Sequence, residues 1–249
     1  MTLRETSSTD RRLSTFGWAS AVGFALFFPT VLTFAYFVWL ADRSAGVQQS
    51  VYSVGKMLQF AFPAIWVYFV LKRKPSWPRW DRRGIRLGLA FGVLVVVGML
   101  ALYFGWLKPA GHLVGLEETV KDKVSDLGLM SVWKYVAVGV FYSLVHSFLE
   151  EYYWRWFVFA QLRRRVSLPW AIAISSLGFM THHVILLGTF FGWTSPLAYL
   201  CSAGVAIGGG VWAWIYDRSG SLLGPWVSHM LVDAGIFLIG YDLVRQYLA

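Results

Sequence analysis

One thiol and a shortage of acid set this chain apart before any motif does. Cys201 is the sole cysteine among 249 residues, so an intrachain disulfide is excluded, and thiol catalysis or a cysteine zinc cluster is disfavoured. Only 14% of residues are charged, with 13 Asp and Glu against 22 Lys and Arg. The sequence has no alternating β-barrel pattern, no internal repeat, no GxSxG context and no HExxH. The missing repeat weakens an inverted-repeat transporter reading. What fills the chain instead is apolar: 57% of residues, in runs near or beyond the ~18 needed to cross a bilayer.

These runs predict an all-α, polytopic transmembrane helical bundle of about seven spans. They cover approximately Phe16–Leu40, Val51–Leu71, Leu87–Leu107, Ser131–Ala160, Leu168–Gly188, Pro196–Tyr216 and Leu222–Gly240. Continuous apolar runs can span lipid only as helices, which satisfy their own backbone. The fourth is too long for a perpendicular crossing, so it tilts or projects. The first is too long for a signal-peptide core and lacks a small-residue cleavage site, so it counts as a helix. Residues 1–15 form a polar tail, and residues 16–249 read as one integrated membrane domain. Within it, Leu116–Gly128 reads as a short amphipathic helix on the outer surface that connects spans.

A net charge of +9 invites a nucleic-acid partner, and its distribution rejects one. Basic residues gather in two short loops, Lys72–Arg86 and Arg163–Arg165, while Arg4, Arg11, Arg12 and Arg218 fall on the same side. The loops opposite are neutral or mixed. This is the positive-inside pattern, and it orients the chain N-in, C-out. Trp77, Trp80, Trp106 and Trp193 lie near span ends, where aromatic belts form. The expectation is a multi-pass integral protein of a prokaryotic plasma membrane, with the lipid bilayer as its solvent and partner.

Against that background the ionisable residues inside spans stand out. Glu150 and Glu151 sit side by side in the fourth span, at about 2.5 to 3.5 kcal/mol each on insertion scales. They differ by roughly 100° around a helix, so they cannot face one cavity together. Glu151 precedes Arg155 by four residues, the favourable order for an ion pair, which makes it structural. Glu150 is then left with His146, one turn earlier on its face. The fifth span carries His182 and His183, and the seventh carries His229 and Asp233 one turn apart.

Depth asks whether these groups can meet. Glu150 lies 13 residues from Arg163, His183 14 from Pro169 and Asp233 12 from Ser221. At ~1.5 Å per residue, each sits roughly 18–21 Å from the inner boundary, somewhat toward the outer leaflet. Singly, each has a structural reading: a membrane histidine is often a helix–helix hydrogen bonder, and Gly204, Gly208 and Gly210 simply allow close packing. Together, on three helices at one depth, they point to a site.

The motifs Glu150-Glu151-Tyr-Tyr-Trp-Arg155, Phe179-Met-Thr-His-His183 and His229-Met-Leu-Val-Asp233 match EExxxR, FxxxH and HxxxN/D. In this order, on successive apolar spans, they resemble the CPBP family of intramembrane proteases, the CAAX-protease and bacteriocin-processing family also called Abi. The resemblance covers roughly Val145–Gly235; the first three spans carry no motif. It implies an N-terminal set of membrane helices with the outer segment over 16–130 and a catalytic helical core over 131–249. It further implies Glu150 as catalytic carboxylate, His183 as second catalytic group, and Glu151 and Arg155 as structural neighbours. His229 and Asp233 fill the third motif. The chain departs from the pattern in three places. His182 beside His183 makes the register ambiguous, Asp233 stands where Asn is common, and His146 is outside the motif.

Peptide hydrolysis needs an activated water and donors for the oxyanion. Under the resemblance, Glu150 with His183 activates the water, and His229 with Asp233 stabilises the oxyanion. Glu150, His183, His229 and Asp233 would also make an acceptable zinc set. A carboxylate bound to metal is poorly free to act as base, so no cofactor is favoured and glutamate catalysis is preferred to the metal-dependent form. The expected partner is a membrane-associated protein or peptide cleaved near a terminus. Relatives in eukaryotes remove the last three residues of prenylated CAAX proteins; nothing in this sequence indicates a prenyl group. Two other classes stay open: a proton-coupled transporter or channel, and a non-catalytic immunity or scaffold protein of the same fold.

Overall fold

A computed structural model describes residues 15–73, 79–113 and 115–249. Arg4, Arg11, Arg12, Lys74 and Trp77, used above for topology and belts, lie outside the described residues, as does the polar tail except for its last residue. Among the described residues there is no strand, and seven helices are long and apolar enough to cross a membrane. In chain order these are α1 (Phe16–Trp39), α2 (Ala45–Val70), α3 (Arg82–Leu107), α5 (Val132–Arg163), α6 (Leu168–Phe191), α7 (Pro196–Ser219) and α8 (Leu223–Tyr247). A shorter α4 (Leu116–Asp126) lies between α3 and α5. The chain is a multi-pass integral membrane protein.

The helices outrun the apolar runs that reveal them. α2 begins six residues before Val51, α3 five before Leu87, and α8 continues to Tyr247. Hydropathy stops at the first polar residues, but the backbone hydrogen-bond ladder does not. At the start of α3 the Asp81 carboxylate caps the helix, accepting from the Gly84 amide at 2.5 Å. α7 closes on Gly220, whose left-handed φ of 64° lets its amide reach the Tyr216 carbonyl at 2.8 Å.

The chain divides into two compact units, residues 1–80 with 151–222 and residues 81–150 with 223–249. In the first, the C-terminal part of α5 is buried all round from Tyr153 to Leu162, the pattern of a central helix rather than a lipid-facing one. Tyr153 donates its hydroxyl to the Ala25 carbonyl at 2.8 Å, while Phe60 and Phe62 of α2 meet Tyr153 and Phe157 edge-on.

In the second unit, α3 and α8 approach until backbone meets backbone. A Cβ on Gly88 would fall 2.0 Å from the Gly224 carbonyl oxygen, and one on Gly92 3.0 Å from the Ser228 Cα. Near the last turns of these helices, Tyr103, Tyr135, Val124, Leu243 and Val244 form a buried cluster, with Leu116 and Val120 packed on it. The apolar face of α4 therefore lies on protein. Polar contacts from α8 fix it: Glu117 accepts from the Tyr247 hydroxyl at 2.8 Å and from Gln246 at 2.5 Å; nearby, Asp242 of α8 ties down the end of α3, accepting from Tyr103 at 2.8 Å and pairing with Lys108. The sequence showed the amphipathic helix but not its seat.

Candidate active site

The two adjacent glutamates sit in an unusual piece of helix. Only Ser147–Glu151 of the middle of α5 has α geometry; Tyr142–His146 before it and Tyr152–Phe159 after it are wound as π-helix. A π turn leaves carbonyls out of α register, and side chains take them up. Ser147 donates its hydroxyl to Ser143, and the Trp226 indole of α8 donates to Leu144 at 2.9 Å. Such turns cluster at functional sites.

Within the second unit, Glu150 is 3% exposed and gathers two imidazoles. His146 Nε2 lies 3.8 Å from Oε1 and His229 Nε2 3.7 Å from Oε2. Asp233 Oδ1 lies 3.6 Å from the same His229 nitrogen, one turn along α8. His229 is buried, while His146 and Asp233 are half-buried. These separations are within charge-pair range yet just beyond hydrogen-bond length, as catalytic contacts often are without substrate. So the third motif and the first glutamate converge, with His146 as an added neighbour that family spacing alone does not supply.

Within the first unit, Glu151 has another environment. Its carboxylate is fully buried and meets Arg155 Nη1 at 3.0 Å. Arg155 also donates from Nη2 to the Gly209 carbonyl at 3.2 Å, and its guanidinium lies over the rings of Phe179 and Trp212. A Cβ on Gly209 would stand 3.2 Å from that nitrogen, so the closeness of α7 there depends on the missing side chain. A buried ion pair is favourable only when further contacts support it, and here the Gly209 carbonyl and the two ring faces support the guanidinium.

The structure gives the two adjacent histidines different surroundings. His182 is buried and stacks flat on Trp154, with ring centroids 5.8 Å apart and planes at 7°. His183 is half-buried, and its Nδ1 lies 2.9 Å from the Phe179 carbonyl. A carbonyl can only accept, so Nδ1 carries the proton and Nε2 is the acceptor nitrogen of the neutral ring. The FxxxH spacing has a mechanical reason here: residue i+4 of a helix can return its ring nitrogen to the carbonyl of residue i.

Two residues inside a span escaped the sequence reading. Lys56 and Gln59 of α2 break an apolar run much as Glu150 does, and the rule that makes a charge at membrane depth informative would have found the lysine. Among the described residues, no group of three or more His, Cys, Asp or Glu side chains is arranged to hold a metal ion.

Residues 132–235 match the family described as type II CAAX prenyl endopeptidase Rce1-like. All three motifs lie inside the matched stretch. No curated protein and no solved structure matches the chain.

Proposed function

We propose that this protein, whose residues 132–235 match the family described as type II CAAX prenyl endopeptidase Rce1-like, is an intramembrane endopeptidase that cleaves membrane-associated proteins or peptides near a terminus. The observation that carries the reading is Glu150: a carboxylate buried within a membrane helix, with His146 and His229 within 3.8 Å of its two oxygens. Structure alone rarely tolerates such a group at that depth.

In the proposed reaction a water is held by Glu150 and His183. Glu150 takes a proton as the water oxygen attacks the scissile carbonyl carbon. The acceptor Nε2 of His183, fixed by the bond from Nδ1 to Phe179, suits a group that positions the water. His229 donates to the developing oxyanion, with Asp233 orienting its ring. The proton on Glu150 then passes to the leaving amine as the C–N bond breaks. Glu151 and Arg155 hold the helix and touch no reacting atom. Catalysis is read as glutamic rather than metal-dependent; Glu150, His183, His229 and Asp233 would be the ligands in the other case. The proposed setting is a prokaryotic plasma membrane with the N-terminus inside, supported by the basic loops.

The test compares protein termini in native-host membranes carrying the wild type or Glu150→Gln at matched levels. New termini with the wild type alone identify substrate and bond together. Identical termini, with both proteins folded and membrane substrates present, overturn the reading.

A further inference from the structure

Two imidazoles of the second unit flank Glu150, and only one of them acts in the proposed reaction. His229 Nε2 lies 3.7 Å from Glu150 Oε2 and 3.6 Å from Asp233 Oδ1. One ring nitrogen carries at most one proton, so it cannot serve the glutamate, the aspartate and an oxyanion together. When His229 turns to the oxyanion, Glu150 loses a donor on Oε2. The carboxylate then needs a second group to keep it aimed at the water, because a base out of line loses its rate advantage.

His146 stands at the other oxygen, with Nε2 3.8 Å from Oε1. It falls outside all three motifs, one turn before the glutamate. The step between them runs into the α-helical stretch Ser147–Glu151, where residues four apart share a face. Toward a carboxylate that acts as base the nitrogen can only donate, so Nε2 carries the ring proton. The ring is itself held. Its centroid lies 4.8 Å from that of Tyr142, which lies 5.7 Å from Phe237 of α8. The π turn that carries both rings is tied to α8 again by the Trp226 indole on the Leu144 carbonyl at 2.9 Å. A side chain packed in this way gives up little rotamer freedom when it meets the carboxylate.

We propose that His146 is a positioning residue for Glu150: its Nε2–H holds Oε1, so that Oε2 faces the water and takes its proton. The proposal rests on the protease reading above and adds a residue to its site. His146 touches no reacting atom and forms no bond to substrate. The division of labour is one imidazole for each carboxylate oxygen, with His229 released to the oxyanion and His146 staying in place.

The test uses the full-length protein in nanodiscs with two internally quenched peptides. One is farnesylated and ends in Cys-Val-Ile-Met; the other is an apolar membrane-spanning segment. His146→Phe keeps a ring on Tyr142 and removes the donor. It is expected to lower kcat by about tenfold to a hundredfold, with KM and melting temperature unchanged. His146→Gln, whose amide nitrogen can stand near the place of Nε2, restores most of that loss. Where His146→Phe expresses poorly, His146→Leu is read against His146→Gln in the same way. A role in packing alone predicts the reverse order, an active His146→Phe and an impaired His146→Gln. That order, equal effects of the two variants, or a loss confined to KM overturns the proposal and leaves the protease reading standing. An infrared difference spectrum between wild type and His146→Phe needs no turnover. It should show a displaced carboxylate band that vanishes when both proteins carry Glu150→Gln, and an unmoved band overturns the contact. Silence of the wild type on both peptides overturns the protease reading, and the role of His146 in it, even where the band moves.

Discussion

Arg155 and Phe179 are stacked, the guanidinium carbon 4.8 Å from the ring centroid, and the carbonyl of the same Phe179 holds His183 Nδ1 at 2.9 Å. One residue thus packs the ion pair of the first motif with its ring and sets the histidine of its own motif with its backbone. An aromatic is needed there because only a flat face covers a guanidinium this closely while leaving the helix undistorted.

Glu150→Gln is expected to fold as the wild type does and to cleave nothing. The amide is close in size and keeps the contacts with His146 and His229, but it cannot accept the water proton. Thermal unfolding in detergent alongside cleavage of a membrane-anchored reporter checks both halves. Retained cleavage would sink the assignment of the base.

Glu151→Gln is expected to fail differently. Removing one partner of a buried pair leaves Arg155 as a buried charge, at a cost of about 3–5 kcal/mol. The melting temperature should fall sharply, and the double change Glu151→Leu with Arg155→Met should recover much of the loss. A Glu151→Gln protein that melts normally yet is inactive would exchange the roles of the two glutamates.

The adjacent histidines should separate cleanly. His182→Phe keeps a flat ring against Trp154 and should retain activity within a few fold of the wild type. His183→Phe loses the acceptor nitrogen and should drop kcat by about 10²–10⁴. The opposite order of effects would place His182 at the water.

Two glycines of α3 test the helix crossing in the second unit. Gly88→Ala sets a Cβ against the Gly224 carbonyl and should cost about 1–3 kcal/mol or more, with activity falling as α8 and its His229 shift. Gly98→Ala, with nothing within 4 Å of the new methyl, should be neutral or slightly stabilising. Similar melting temperatures for the two variants would show that the crossing yields easily.

Much of this was legible in the sequence, and the omissions have physical causes. Seven spans follow from apolar runs because lipid leaves the backbone no choice but helix. The Glu151–Arg155 contact follows from four-residue spacing, and the glutamate and third-motif contact from two polar groups at one depth. The π turns of α5 were not legible, because hydrogen-bond register carries no side-chain signature. Nor was the seat of α4: an apolar face is the same whether it meets lipid or Tyr135. Lys56 hid inside a window whose mean hydropathy one lysine barely lowers.

The winding of α5 also decides how the chain tolerates gain and loss of residues. A π turn holds more residues than an α turn, so each π segment is a stretch with slack. Dropping one residue within Tyr142–His146 could relax that turn to α geometry and leave the spacing from Glu150 to Arg155 unchanged. Dropping one within Tyr152–Trp154 shortens the step from Glu151 to Arg155 from four residues to three and turns the guanidinium by about 100° about the helix axis, off the Gly209 carbonyl and the rings of Phe179 and Trp212. Length variation should therefore be borne before the glutamates and refused immediately after them, a polarity that no single substitution would expose.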